Sequence, residues 1–88
     1  MLSVQLHDYV SRIQDLLDRD AHDEAIAHCR HILGFYPKYY VVYHLLGQAA
    51  LAKEMYAEAR DLFKRTLSAD PECPDAWMGL ARACVEED

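Results

Sequence analysis

The sequence has few of the residues that would indicate a cross-linked or membrane-spanning protein. Its three cysteines, Cys29, Cys73 and Cys84, are an odd set and form no CxxC pair. This argues against a disulfide framework and against a cysteine zinc site. No uncharged run approaches the roughly 18 apolar residues that a membrane helix requires. We therefore expect reduced thiols and no membrane span.

Basic residues are the next shortage. Nine Lys and Arg stand against fifteen Asp and Glu, which gives a formal net charge of −6. A field of this sign repels phosphate backbones, so nucleic acid is not an expected partner. The first residues, MLSVQLHDYV, lack the basic start and the small-residue cleavage site of a secretory signal. These shortages together predict a cytoplasmic protein.

The motifs of common active sites are also missing. The chain has no Gly-rich phosphate loop, no GxSxG and no HExxH. Cys73 falls in a loop, but the pattern places no histidine beside it to act as the base that a nucleophile needs. We predict a protein that is not an enzyme and that carries no cofactor.

What the sequence does contain is an internal period. Tyr9 recurs as Tyr43 and as Trp77, and the two spacings agree, since 43 − 9 = 34 and 77 − 43 = 34. Further identical pairs at this offset are Gln14 with Gln48, Leu17 with Leu51, Glu24 with Glu58, Ala25 with Ala59, Leu33 with Leu67, and Pro37 with Pro71. A period of this length indicates a repeated supersecondary unit.

The repeated unit reads as a pair of helices. Apolar residues recur at steps of three and four from Leu6 to Leu17, which is the period of an amphipathic helix. Pro37 and Pro71 each end a second helix. The stretch FYPKYYVVYHLLG is rich in residues that favour strands, yet Pro37 divides it between two helices. In all, five helices are predicted, the last from Pro74 to about Val85.

The second repeat carries a recognisable signature, in which Y43-x2-L46-G47 is followed by Ala59, Phe63 and Asp70-Pro71. This pattern resembles the tetratricopeptide repeat. The resemblance implies an all-α fold, an α-solenoid of antiparallel helix pairs with about five helices and a right-handed superhelix. It also implies a single domain over residues 1–88, with repeats at 6–39 and 40–73 and a partial repeat or cap at 74–88.

In this family the first helix of each repeat lines a concave face that binds peptide segments. The resemblance therefore implies a module for protein–protein interaction. The residues that it places on this face are His7, Val10, Gln14, Val41, His44, Leu45, Gln48, Met78 and Arg82. The clamp by which one subclass binds the carboxylate of heat-shock chaperones needs Lys and Arg. This chain has no cation at the matching positions, which are Val10, Gln14, Leu45, Asp75 and Gly79.

Packing roles can be assigned from the same repeat. Gly47, Ala50 and Ala59 are small, as residues must be where two helices cross closely. Tyr43 and Trp77 are expected to fill the wedge beside such a crossing. Two cysteines, Cys29 and Cys84, are expected on the inner stripes of their helices as small apolar fillers.

Two alternatives remain open. Trp77, Leu80 and Cys84 lack the partner helix of a full repeat, so two copies of the chain could meet there. A cap or a longer array would also account for them. Separately, Glu24, His28 and His31 project from one helical face and could hold zinc or ferrous iron. The other interpretation of these three residues is a solvated outer face.

Overall fold

The computed structural model describes residues 2–87, with side chains described for residues 6–86. The last two residues of the acidic EED end therefore lie outside the described side chains. The elements are α1 Leu2–Asp18, α2 His22–Phe35, α3 Tyr40–Ala52, α4 Tyr56–Ala69 and α5 Pro74–Glu87. No strand occurs within residues 2–87, so the predicted all-α fold with five helices is confirmed.

The turns inside the two helix pairs have the same geometry. Asp20 follows α1 with a φ of 65°, and Glu54 follows α3 with a φ of 62°. Each begins a turn in which two backbone N–H groups bond back to carbonyls of the preceding helix, as in a Schellman motif. The bonds are Asp20 to Leu17 (3.1 Å), Ala21 to Leu16 (2.8 Å), Glu54 to Leu51 (3.0 Å) and Met55 to Ala50 (2.8 Å).

The signature aromatics are held by matching hydrogen bonds. The Tyr43 hydroxyl donates to the carbonyl of Pro37 at 2.7 Å. The Trp77 indole N–H donates to the carbonyl of Pro71, also at 2.7 Å. Each proline thus lies just after the end of one helix and accepts a bond from an aromatic side chain near the start of the next helix.

Consecutive helices pack against each other along the chain, and α3 also contacts α1 and α5. The backbones of α2 and α4 do not meet anywhere in the described chain. The odd-numbered helices therefore form one layer and the even-numbered helices another, which is typical of a helical solenoid. One core cluster contains Ile13, Leu17, Ala25, Cys29, Ile32, Val42, Leu45 and Ala49, and the other contains Ala50, Ala59, Phe63, Leu67, Ala76 and Ala83.

A single phenylalanine joins three helices in the second cluster. The ring of Phe63 on α4 lies so close to Gly47 on α3 that a Cβ there would be 2.8 Å from it. At Gly79 on α5 the corresponding distance is 2.4 Å. The predicted need for a small residue at Gly47 is confirmed, and Phe63 is the side chain that requires it.

Two packing predictions were wrong. Cys84 is exposed, because α5 turns Ala76 and Ala83 inward. Trp77 is 53% exposed and does not fill a wedge, because no described helix covers its outer side. Cys29 is buried as predicted, and burial raises the pKa of its thiol to about 12.

Candidate functional site

All nine predicted groove residues lie on α1, α3 and α5, and several occupy equivalent positions in successive repeats. Gln14, Gln48 and Arg82 are one such series, since 48 − 14 = 34 and 82 − 48 = 34. A second series is Val10, His44 and Met78. Val10, Gln14, Val41, His44 and Gln48 are partly buried, whereas His7, Met78 and Arg82 are exposed.

The two glutamines are bonded to each other. Gln14 donates to Gln48 at 3.3 Å and accepts from it at 3.4 Å. The second amide hydrogen of Gln14 reaches the Asp18 carboxylate at 3.2 Å, and that of Gln48 reaches Nε2 of His44 at 3.0 Å. All four amide hydrogens are therefore used. The sequence placed both glutamines in the groove, and the structure shows that they form a bridge that joins α1 to α3.

This bridge favours the neutral form of His44. Its Nε2 accepts from Gln48, so the ring hydrogen belongs on Nδ1, which is buried and has no hydrogen-bond partner. The ring also lies against Phe63, with the two centroids 5.9 Å apart. Burial lowers the pKa of His44, and the negative charge of Asp75 opposes that shift.

Leu45 corrects the predicted groove. Its side chain is 2% exposed and belongs to the core cluster formed by α1, α2 and α3. A one-residue step along a helix turns a side chain by about 100°, and that step separates the core-facing Leu45 from the partly buried His44.

Two of the three exposed groove residues lie on α5. Met78 is 71% exposed, and both Arg82 and Asp75 are exposed. Together they present an apolar side chain, a cation and an anion within one helix. These α5 side chains are therefore more accessible to water than the two bridged glutamines.

The predicted metal residues are engaged separately. Nδ1 of His28 lies 2.7 Å from the Tyr9 hydroxyl, and the His31 ring lies edge-on to Phe35, with centroids 5.2 Å apart. Among the described side chains, no three from His, Cys, Asp and Glu are placed to hold a metal ion. The contact between Tyr9 and His28 has no signal in the sequence, because it joins two helices.

A cleft of about 560 Å³ lies on the opposite side of the molecule, between α2 and α4. Its lining includes Tyr43, Leu46 and Leu62, and the Arg65 guanidinium lies 5.6 Å from the centre of the Tyr43 ring. Lys53 forms an ion pair with Asp23 beside it. That hydrogen bond lowers the pKa of Asp23.

A similar cleft lies at the N-terminal end, between α1 and α2. There Arg12 stands at the position of Leu46, and His28 at the position of Leu62, each 34 residues earlier. Polar residues thus replace apolar ones at this end of the described chain, where no preceding helix packs against α1 and α2.

A model of the tetratricopeptide repeat family matches residues 16–83 of the chain. No match was found among the curated proteins. Within residues 2–87, no helix combines the length and hydropathy that a membrane crossing requires.

Proposed function

Since the chain belongs to the tetratricopeptide repeat family, we propose that it is a non-catalytic module that binds a peptide or a partner-protein segment along the layer of α1, α3 and α5. Proteins of this family are in general interaction modules. We further propose a cytoplasmic setting, a single domain over 1–88 divided at residues 39 and 73, and no nucleic acid, membrane, metal or cofactor as ligand.

The observation that carries this proposal is the arrangement on α5. Met78 and Arg82 are exposed, they stand one helical turn apart, and Asp75 lies near the same end of the layer. A cation and an anion flanking an apolar side chain can orient a peptide that has complementary charges. The bridge of Gln14 and Gln48 contributes by fixing α1 against α3.

Selection from a random peptide library tests this function. Peptides selected by the wild-type chain are expected to bind a Met78→Ser, Arg82→Ser variant at least about tenfold more weakly, or roughly 1.4 kcal/mol. Arg12→Ser, an exposed change on α1, is the control and should keep full affinity. Equal binding by the wild type and the double variant would show that Met78 and Arg82 of α5 do not contribute to the peptide-binding groove.

The alternative function is self-association through Trp77, Leu80 and Cys84. The exposure of Trp77 and Cys84 supports it. Sedimentation over a wide concentration range checks it, because a dimer through this face should dissociate on dilution. A Trp77→Ser variant should then remain monomeric at every concentration.

A further inference from the structure

The repeat itself shows what covers the outer face of a helix such as α5. On α3, the equivalent face is covered by α4. Phe63 packs against Gly47 and beside His44, Arg65 lies over the ring of Tyr43, and Ala50 and Leu51 pack in the cluster that contains Phe63.

The same positions on α5 have no cover among the described residues. Adding 34 to Tyr43, His44, Gly47, Ala50 and Leu51 gives Trp77, Met78, Ala81, Cys84 and Val85. All five are exposed, with Trp77 at 53%, Met78 at 71% and Val85 at 74%. None of them carries a charge. We call these five residues the α5 face.

The other end of the molecule shows how the chain treats a face that meets water. There Arg12 and His28 replace Leu46 and Leu62. No such replacement occurs on the α5 face, which keeps the apolar or small character of a covered surface. Exposed apolar patches of this kind mark interaction sites.

We propose that the α5 face binds an amphipathic helix of a partner protein, placed on α5 as α4 is placed on α3. This site is separate from the peptide groove of the proposed function, although Met78 lies at the edge of both. The ligand is a helix rather than an extended peptide, and its apolar side chains recur at steps of three and four residues.

Residue sizes in the two complete pairs define the central side chain of the partner helix. In the first pair Ile13 corresponds to Gly47, and Cys29 corresponds to Phe63. In the first pair the large residue is on α1 and the small one on α2. In the second pair the small residue is on α3 and the large one on α4. Ala81 is intermediate in size, so a branched aliphatic such as leucine suits the partner helix better than phenylalanine does.

Charge complementarity adds two further features. A cation two residues after the central side chain would lie over the Trp77 ring, as Arg65 lies over Tyr43. An acid two residues before it would face Lys64, since Arg30 and Asp61 line the equivalent cleft one repeat earlier. The partner helix should therefore carry an acidic residue, a leucine and a basic residue in that order, each two positions after the one before.

The footprint of α5 favours a helical segment over a second copy of the chain. A helix of 14 residues is about 21 Å long and about 10 Å wide. Two α5 helices that meet face to face would therefore cover only a few hundred Å² each, against roughly 800 Å² per partner in a stable complex of two folded proteins. A docking helix covers the same few hundred Å² of α5, which suits the weak, reversible binding of a short helical segment rather than a stable dimer of two folded chains.

Fluorescence of Trp77, the one tryptophan of the chain, tests the proposal directly. The probe is a capped peptide with the sequence of residues 54–71 that carries Phe63→Leu. Its binding should shift the emission of Trp77 to shorter wavelength, in a saturable manner. The peptide that retains phenylalanine should bind several-fold more weakly than the leucine peptide. Adding Arg65→Ala to the leucine peptide should also weaken its binding.

Variants of the chain locate the binding. Ala81→Glu places a charge at the centre of the α5 face and should lower the affinity for the leucine peptide at least tenfold. Ala27→Glu is the matched control, an exposed alanine whose counterpart one repeat later is Asp61, and it should bind normally. Circular dichroism should show the same helicity for both variants.

Three results would overturn the proposal: no change in Trp77 emission, equal binding by Ala81→Glu, or equal binding of the leucine and phenylalanine peptides. Sedimentation of the chain alone is the remaining check. A dimer that Ala81→Glu disrupts would assign the face to a second copy instead. Loss of library peptides in an Arg82→Ser variant, which leaves all five residues of the α5 face unchanged, is a separate readout, so failure of either site leaves the other testable.

Discussion

At the scale of single residues, the two turns within the helix pairs require a conformation that suits glycine, and neither has one. Asp20 and Glu54 adopt positive φ, which brings Cβ close to the following carbonyl oxygen. Aspartate tolerates this region better than glutamate, because its short side chain can bond to the local backbone. The cost is therefore larger at Glu54.

Replacing Glu54 with glycine should stabilise the chain by about 0.5 kcal/mol, which is the strain relieved less the added freedom of the unfolded chain. Asp20→Gly should gain less. Urea unfolding measures both. Ala52→Gly, two residues earlier at the last position of α3, is the control and should instead lower the stability, by less than the roughly 1 kcal/mol that glycine costs in a helix interior. A lower stability for Glu54→Gly would contradict the strain at this turn.

At the scale of helices, α3, α4 and α5 are held together around one ring. Phe63 fills the space that Gly47 and Gly79 leave open, so two glycines on different helices serve a single aromatic side chain. Gly34 differs from both, because a Cβ built there meets no atom within 4 Å. Gly34 should therefore respond to an alanine substitution differently from Gly47 and Gly79.

Gly79→Ala should destabilise the chain by about 1 to 3 kcal/mol, because its Cβ would meet the Phe63 ring and overpack the crossing. Gly34→Ala should instead stabilise it by roughly 0.5 to 1 kcal/mol through helix propensity. Thermal melts give both signs. In the Gly79→Ala background, Phe63→Leu should cost less than it does in the wild type. If the effects of Gly79→Ala and Phe63→Leu on stability simply add, the contact between residue 79 and the Phe63 ring is contradicted.

At the scale of the whole molecule, the layers are tied together by polar as well as apolar contacts. The bridge from Asp18 through Gln14 and Gln48 to His44 joins α1 to α3. It requires His44 to accept a hydrogen bond at Nε2, which only the neutral ring can do. The stability of the fold should therefore depend on the protonation of this residue.

The free energy of unfolding should fall as the pH is lowered below 6.5, the ordinary pKa of histidine. The pKa of His44 in the folded chain is lower than this value. The unfolded chain therefore binds the proton first, and stability is lost until the folded pKa is passed. Urea unfolding between neutral and mildly acidic pH measures the slope.

His44→Gln should flatten that slope, since glutamine does not titrate. His7→Gln is the control and should leave the slope in place, because the His7 side chain is exposed to water in the folded chain as it is in the unfolded one. A slope that persists unchanged in His44→Gln would assign the pH dependence to other groups.

Much of the fold followed from the sequence, because the signals involved are local. The positions of Pro37 and Pro71 and the steps of three and four between apolar residues predicted the helix ends to within a few residues. The spacing of 34 predicted which elements would repeat. The small residue at Gly47 was also predictable, although its partner ring was not.

The candidate site was predicted less completely, because each error concerns contacts between helices. Periodicity assigns a side chain to a face of its own helix, but it does not say which neighbour covers that face. Leu45 was placed in the groove and is buried in the core. Cys84 was placed inside and is exposed. Gln14 and Gln48 were placed in the groove, and the structure adds that they bond to each other.

The sequence by itself determined the repeat, the five helices and their order, since proline positions and apolar spacing act within a few residues of chain. Only the tertiary structure decided that Phe63 closes against two glycines, that His44 bonds to Gln48 in a partly buried place, and that the α5 face is left open. Those outcomes depend on side chains 16 to 34 residues apart meeting across helices, and their sizes and hydrogen-bond needs are settled by three-dimensional packing.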